Sequence, residues 1–272
     1  MTKEELLALS ASLGAALPSQ ASRRTLGEAV ADLLGPEFTL LSGREGFLEF
    51  EHSKLDAPLV LVPGGSFLMG LRDADLDELT DLTGSNSMVS SVVSELRTSA
   101  RPCHHVAVRP FLCGKRPLTH EEISRLTDGR VVRDSLYPDE LLDFLSRVPG
   151  MRLPAEAELE FLAREGGRAA FVCDGAVVWE ASGDWPERGR FGVENLSLGE
   201  WCADAWHPNY DGAPSSSEAW CEESGPGVVR GALPVGPDQD AAELVFGLAA
   251  FRRAAQDCDE RGCFNVRLCV SL

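Results

Sequence analysis

The sequence predicts a mixed α+β protein with little regular secondary structure and a small helical appendage at its N-terminus. Three observations carry this reading. Apolar residues recur at helical spacing in two N-terminal stretches. Short alternating or apolar runs, the mark of strands, are spread thinly along the rest of the chain. Residues 181–227 are rich in Gly, Pro, Ser and Trp with little periodicity, and a loop of that length inside a domain is usually functional or anchored.

Taken in order, Leu6, Leu7, Leu9, Leu13 and Ala16 space as a helix over 3–15, and Leu26, Ala29, Val30, Leu33 and Leu34 repeat the pattern over 22–34 before Gly35-Pro36 ends it. Residues 47–51 alternate as a strand, and Pro58 to Val62 reads as a second. Pro63-Gly64-Gly65 turns into a third. Residues 71–100 read as an exposed acidic, then Ser-rich insertion with one helix, Leu76 to Leu82, and a mobile Gly84-to-Ser87 segment. Its acidic cluster lacks the glycine and terminal glutamate of a helix-loop-helix calcium site. Val106-Ala107-Val108 alternates as a strand. Thr119 is placed to cap a helix, with Glu122 completing a capping box. Pro154 is expected in the first turn of the next helix, where Glu156, Glu158 and Glu160 suit the positive N-terminal end. Phe264 to Val270 reads as a terminal strand.

The chain has 272 residues, enough to bury a core without staples. Its formal charge of −18 repels phosphate backbones and anionic lipid, so nucleic acid and membranes are not expected as partners. A protein, a peptide or a small ligand fits better. The N-terminus carries Glu4 and Glu5 where a signal peptide carries basic residues, and no apolar run approaches the roughly 20 residues of a membrane span. The expected compartment is the cytoplasm, where the eight cysteines remain mostly thiols; no Cys-x-x-Cys pair suggests zinc.

Four blocks stand in a fixed order: Leu61-Val62-Pro63-Gly64-Gly65-Ser66-Phe67-Leu68-Met69-Gly70; Phe111-Leu112-Cys113-Gly114-Lys115-Arg116-Pro117-Leu118-Thr119; Met151-Arg152-Leu153-Pro154-Ala155-Glu156-Ala157-Glu158-Leu159-Glu160; and Gly199-Glu200-Trp201-Cys202-Ala203-Asp204-Ala205-Trp206-His207-Pro208-Asn209-Tyr210. Together they resemble the formylglycine-generating enzyme (sulfatase-modifying factor) superfamily. The resemblance covers about residues 58–272 and implies an irregular fold related to C-type lectins, with residues 1–57 as a separate helical appendage.

The resemblance also frames the chemistry. The family's oxidases hold copper on two cysteines five residues apart, shortly after an Arg-x-Gly-Gly-Ser-like turn, and two thiolates suit soft Cu(I). Here the turn reads Val229-Arg230-Gly231-Ala232-Leu233, with no cysteine where the pair should fall. Cys258 and Cys263 keep the spacing some twenty residues further on; their acidic neighbours raise thiol pKa values rather than activate the sulfurs. Another branch binds iron through three histidines. Of the five here, His52, His104, His105, His120 and His207, the adjacent His104 and His105 point to opposite faces of a strand and chelate poorly together. Copper and iron are therefore not expected. A family calcium site implies Glu200 as a ligand, with Ser197 where an asparagine is usual. A ligand pocket is expected from Trp201, Trp206, His207, Arg230, Arg252, Arg253 and Arg267. Buried arginines of an acidic protein usually pair with Asp or Glu, though one could hold a ligand carboxylate in bidentate fashion.

The expectation is a divergent, non-catalytic binding or accessory module, a pseudoenzyme lacking the copper-binding cysteine pair. The alternative is a copper- or non-heme-iron-dependent oxidoreductase acting on a thiol-bearing substrate through Cys258 and Cys263.

Overall fold

The computed structural model describes residues 9, 11, 22–41, 47–83, 87–167, 191–194, 196, 199–221, 227–231, 251–255 and 264–272. Leu59–Val62 (β3) is an unbroken apolar run with all four residues buried, as befits a strand covered on both faces. It is the middle strand of an antiparallel sheet ordered β1 (Phe38–Leu40), β2 (Glu49–His52), β3, β6 (Phe111–Gly114) and β12 (Cys269–Ser271). Helix α1 (Arg23–Leu34) is capped by the Ser22 hydroxyl, which accepts the Thr25 N–H, and it buries Leu26, Gly27 and Val30. Gly27 packs closely on β1: a Cβ there would lie 2.6 Å from a Leu40 methyl, which would have to move aside. Helix α1 thus rests on β1, and the sheet runs through residues 38–62 across the expected boundary at 57. Leu9, helical and buried, belongs to the same apolar cluster.

Residues 71–100 form two helices, α2 (Asp73–Thr83) and α3 (Ser87–Ser99), rather than one. The second was hidden by its serines, yet Val93, Leu96 and Ala100 recur on a single buried stripe. The Gly84-to-Asn86 part of the expected mobile segment lies outside the described residues, while Ser87 opens α3.

The Gly-Gly block makes β4 (Gly65–Met69), paired antiparallel with β5 (His104–Val108). Gly64 precedes it at φ +75°, and a Cβ there would sit 2.4 Å from the Val108 carbonyl, so only glycine lets the strands meet this closely. Helix α4 (His120–Leu126) carries the expected capping box of Thr119 and Glu122. After β7 (Ser135–Leu136) and α5 (Pro138–Ser146) comes α6 (Glu156–Ala163). Pro154 precedes its N-cap, Ala155, instead of entering the first turn.

The second five-stranded sheet is ordered β10 (Arg252–Ala254), β9 (Gly227–Arg230), β8 (Glu200–Ala205), β11 (Phe264–Asn265) and β7. Only the β8–β11 contact in it is parallel. The terminal strand expected over 264–270 is therefore split: β11 joins this sheet and β12 the first, with Arg267 in the crossing. One apolar cluster surrounds α6, β4 and β5. The other fills the space among the first sheet, α1, α4 and α5. The architecture is α+β. Among the described residues no helix is long and apolar enough to cross a membrane.

Candidate functional site

Helix α6 is apolar on most of its surface, and Glu156, Glu158 and Glu160 are nevertheless all buried. Buried carboxylates need partners, and here each has them. Glu156 and Glu160 are one helical turn apart and share a face. Arg230, from β9, bridges the two, with Nη1 donating to Glu156 Oε1 at 2.6 Å and Nη2 to Glu160 Oε2 at 2.6 Å. Arg252, from β10, donates through Nε and Nη2 to the two oxygens of Glu156. Glu160 also accepts Arg164 Nε and the Gly70 N–H, which is how the last glycine of the first sequence block reaches α6. Glu158 forms a separate bidentate pair with Arg152.

The loop after β8 closes over this network. Tyr210 donates its hydroxyl to Glu156. The Arg252 guanidinium lies 4.3 Å from the ring centre of Trp206 and 4.5 Å from that of Tyr210, and its Nη1 donates to the carbonyls of Ser99 and His207. Asp204 accepts the N–H groups of Glu156 and Trp220, tying the helix N-terminus to the loop. The His207 ring stacks on Trp220 at 3.5 Å, nearly parallel. Three guanidiniums (Arg164, Arg230, Arg252) thus face three carboxylates (Glu156, Glu160, Asp204).

Electrostatics follow from this packing. Burial pushes the Glu156 carboxyl up, but the charges of Arg252 and Arg230 outweigh it and leave the group below its ordinary range. Burial and the charge of Glu156 raise Asp204 to about 6, against the pull of its two N–H donors. Burial likewise raises the Tyr210 phenol. It also raises the thiols of Cys103, Cys202, Cys221 and Cys269, with nearby carboxylates adding to the effect in each case. A raised thiol pKa leaves little thiolate, the form that attacks or binds metal.

The structure spreads the expected pocket residues over distinct positions. Trp201 is buried in the core, its indole N–H on the Leu136 carbonyl and its ring edge-on to Phe264. Arg230 and Arg252 are in the carboxylate network. Arg267 donates to both oxygens of Glu200 and to the carbonyls of Gly114 and Glu194, joining β8 to β6 at the strand crossing. Both oxygens of Glu200, the expected calcium ligand, are thus engaged by one guanidinium. Trp206 and His207 are partly exposed in the loop, and Arg253 points away from the network, over Phe264. Ser197, Cys258 and Cys263 lie outside the described residues. Among the described residues no three His, Cys, Asp or Glu groups are placed to hold one metal ion. A shallow groove of about 490 Å³ runs along α4 past His120, Arg125, Asp128 and Val132, none of which belongs to the network.

Glu156, Glu160, Arg164, Asp204, Tyr210 and Trp220 are the members that sequence reasoning did not single out as site residues. The signal was present in part: three glutamates in one helix, among Ala157, Leu159, Phe161 and Leu162, exceed what a helix dipole requires.

No family model matches the chain, and no curated protein does. Among solved structures, PvdO from Pseudomonas aeruginosa aligns with a TM-score of 0.56 at 21% identity, over 79% of this chain and 95% of that one. Treponema denticola variable protein 1 aligns with a TM-score of 0.51 at 13% identity, over 88% of this chain and 100% of that one. At these identities the likeness is one of fold: the chain has an α+β fold related to that of PvdO.

Proposed function

We propose that this protein is a sulfatase-modifying-factor-like, C-type-lectin-like module that binds a ligand or partner and does no redox chemistry. The observation that carries the reading is the fate of the arginines and thiols. Arg230 and Arg252 are held by Glu156 and Glu160 and brace the loop over α6, while Arg267 is held by Glu200 and joins β8 to β6, so none of the three faces a substrate. Burial holds Cys103, Cys202, Cys221 and Cys269 toward the protonated form. What remains for recognition is the partly exposed surface of the 206–220 loop, with Trp206 and the His207–Trp220 stack, and, separately on the other face of the sheet, Arg253. Aromatic side chains held rigidly from below suit recognition because little conformational entropy is lost on binding. On this reading the part of residues 1–57 that precedes β1 is an accessory element, while β1 and β2 belong to the sheet of the binding domain. We also propose a cytoplasmic location, in keeping with the free thiols of Cys113 and Cys269, which lie opposite each other on β6 and β12.

The test is a thermal-shift titration of the reduced, metal-free protein with Cu(I), Fe(II) and Ca(II), repeated on Cys258→Ser/Cys263→Ser. A ligand at 100 times its dissociation constant adds about 2.7 kcal/mol. The module reading expects no shift with copper or iron. A Cu(I) shift that vanishes in the double variant would establish the oxidoreductase instead.

A further inference from the structure

Arg253 differs from the arginines around it. Successive residues of a strand point to opposite faces, so β10 sends Arg252 into the carboxylate network and Arg253 to the other side of the sheet, opposite Val229 on β9. Arg230 and Arg252 meet Glu156, Arg164 meets Glu160, Arg152 meets Glu158 and Arg267 meets Glu200. Among the described residues the side chain of Arg253 has neither an ion pair nor a hydrogen bond. Its Nε is buried without a partner, and its guanidinium is 5.5 Å from the ring centre of Phe264, itself buried against Trp201. A partly desolvated guanidinium left unmatched is unfavourable. In a chain with 43 Asp and Glu against 25 Lys and Arg, carboxylates to match it are abundant.

Building on the binding-module reading, we propose that Arg253 anchors a single carboxylate on the ligand of this module. The guanidinium lies 5.5 Å from the ring centre of Phe264, and its terminal nitrogens form a fork for two parallel N–H···O bonds, the geometry a carboxylate accepts. The charge of the whole molecule narrows the class further. At −18, the protein repels a phosphate dianion more strongly than a singly charged carboxylate. Arg253 is then a binding residue, and its unmatched charge in the free protein is the complement of a charge the ligand brings.

The experiment follows the arginine Nε–H signals of the full chain by proton–nitrogen correlation spectroscopy during titration with acetate, benzoate and inorganic phosphate. The inference expects one arginine signal, absent from the spectrum of Arg253→Lys, to shift to saturation with a carboxylate. In Arg253→Lys the apparent affinity, read from backbone amides, falls at least about ten-fold. Thermal denaturation of Arg253→Met supplies a second readout: it keeps an apolar stem over Phe264 and removes the unmatched charge, so its Tm is equal to or above that of the parent. Shifts that grow linearly with carboxylate, saturation retained in Arg253→Lys, saturation by phosphate alone, or a lower Tm in Arg253→Met each overturn the inference. Saturation retained in Arg253→Lys does so while leaving the module reading standing, whereas that reading fails separately, by a Cu(I) shift dependent on Cys258 and Cys263.

Discussion

Glu160 accepts one backbone N–H and two guanidiniums while fully buried. Glu160→Gln replaces one acceptor oxygen with a donor facing arginine. The expected loss of stability is about 3–5 kcal/mol, the cost of breaking one side of a buried pair, and chemical denaturation measures it. Asp204 gives a pH signature. Its carboxyl titrates near 6 in the fold against an ordinary value of 3.8, so the folded state binds the proton more tightly. Stability from this group is complete below 3.8 and declines as pH rises toward 6. Glu156 acts in the opposite sense, contributing above its ordinary 4.5 and losing that contribution as pH falls below it. Asp204 by itself therefore makes the protein about 1 kcal/mol more stable at pH 5 than at pH 7, a difference opposed by buried His52, whose lowered pKa costs stability as pH falls below 6.5. In Asp204→Asn that difference disappears, as denaturant titrations at the two pH values can show. Arg230 and Arg252 of this site, unlike Arg164, were legible in the sequence, as was the tendency of buried arginines to pair with acids. Their partners were not, because Glu156, Glu158 and Glu160 at the start of a helix satisfy a simpler rule about dipoles. What distinguishes them is burial, which depends on β4, β8 and β9 covering the helix from several sides.

Helix α6 is the element on which the site is built. Phe161 leaves it to meet Phe67 edge-on and Phe191 in a stack. Gly65 lies against the same ring, with room for a Cβ only at 3.3 Å. Phe161→Ala should lower stability by about 3–5 kcal/mol and loosen the carboxylate network with it. Leu142 of α5, at 78% exposure, is the contrast: Leu142→Lys should change stability by no more than about 0.5 kcal/mol. One pair of denaturation curves compares the two. Local rules worked where a local interaction decides the outcome, as in the α4 capping box and the apolar run of β3. They missed helix α3, whose serines resemble a loop while its apolar stripe is fixed by packing. They also merged β11 with β12, since nothing local marks Arg267 as the point where the chain passes between sheets.

At the scale of the whole molecule, the two five-stranded sheets and the two-stranded one of the described residues are held by buried Arg–Glu pairs as well as by two apolar clusters. Arg267 with Glu200 links β8 and the strand crossing to β6 of the first sheet, and Arg230 with Arg252 links the second sheet to α6. Charges placed this way cannot also serve a substrate without undoing the fold, which is the physical basis for reading the protein as a binding module. The same logic leaves Arg253, unmatched among the described residues, for the ligand. The most direct measurement is oxygen uptake by the reduced full-length protein supplied with Cu(I) or Fe(II) and a cysteine-containing peptide, with peptide thiols counted in parallel. The account predicts uptake no faster than the metal and peptide give alone, with every thiol retained. Protein-dependent uptake with matching loss of peptide thiol, abolished by Cys258→Ser/Cys263→Ser, would contradict it and identify an oxidoreductase.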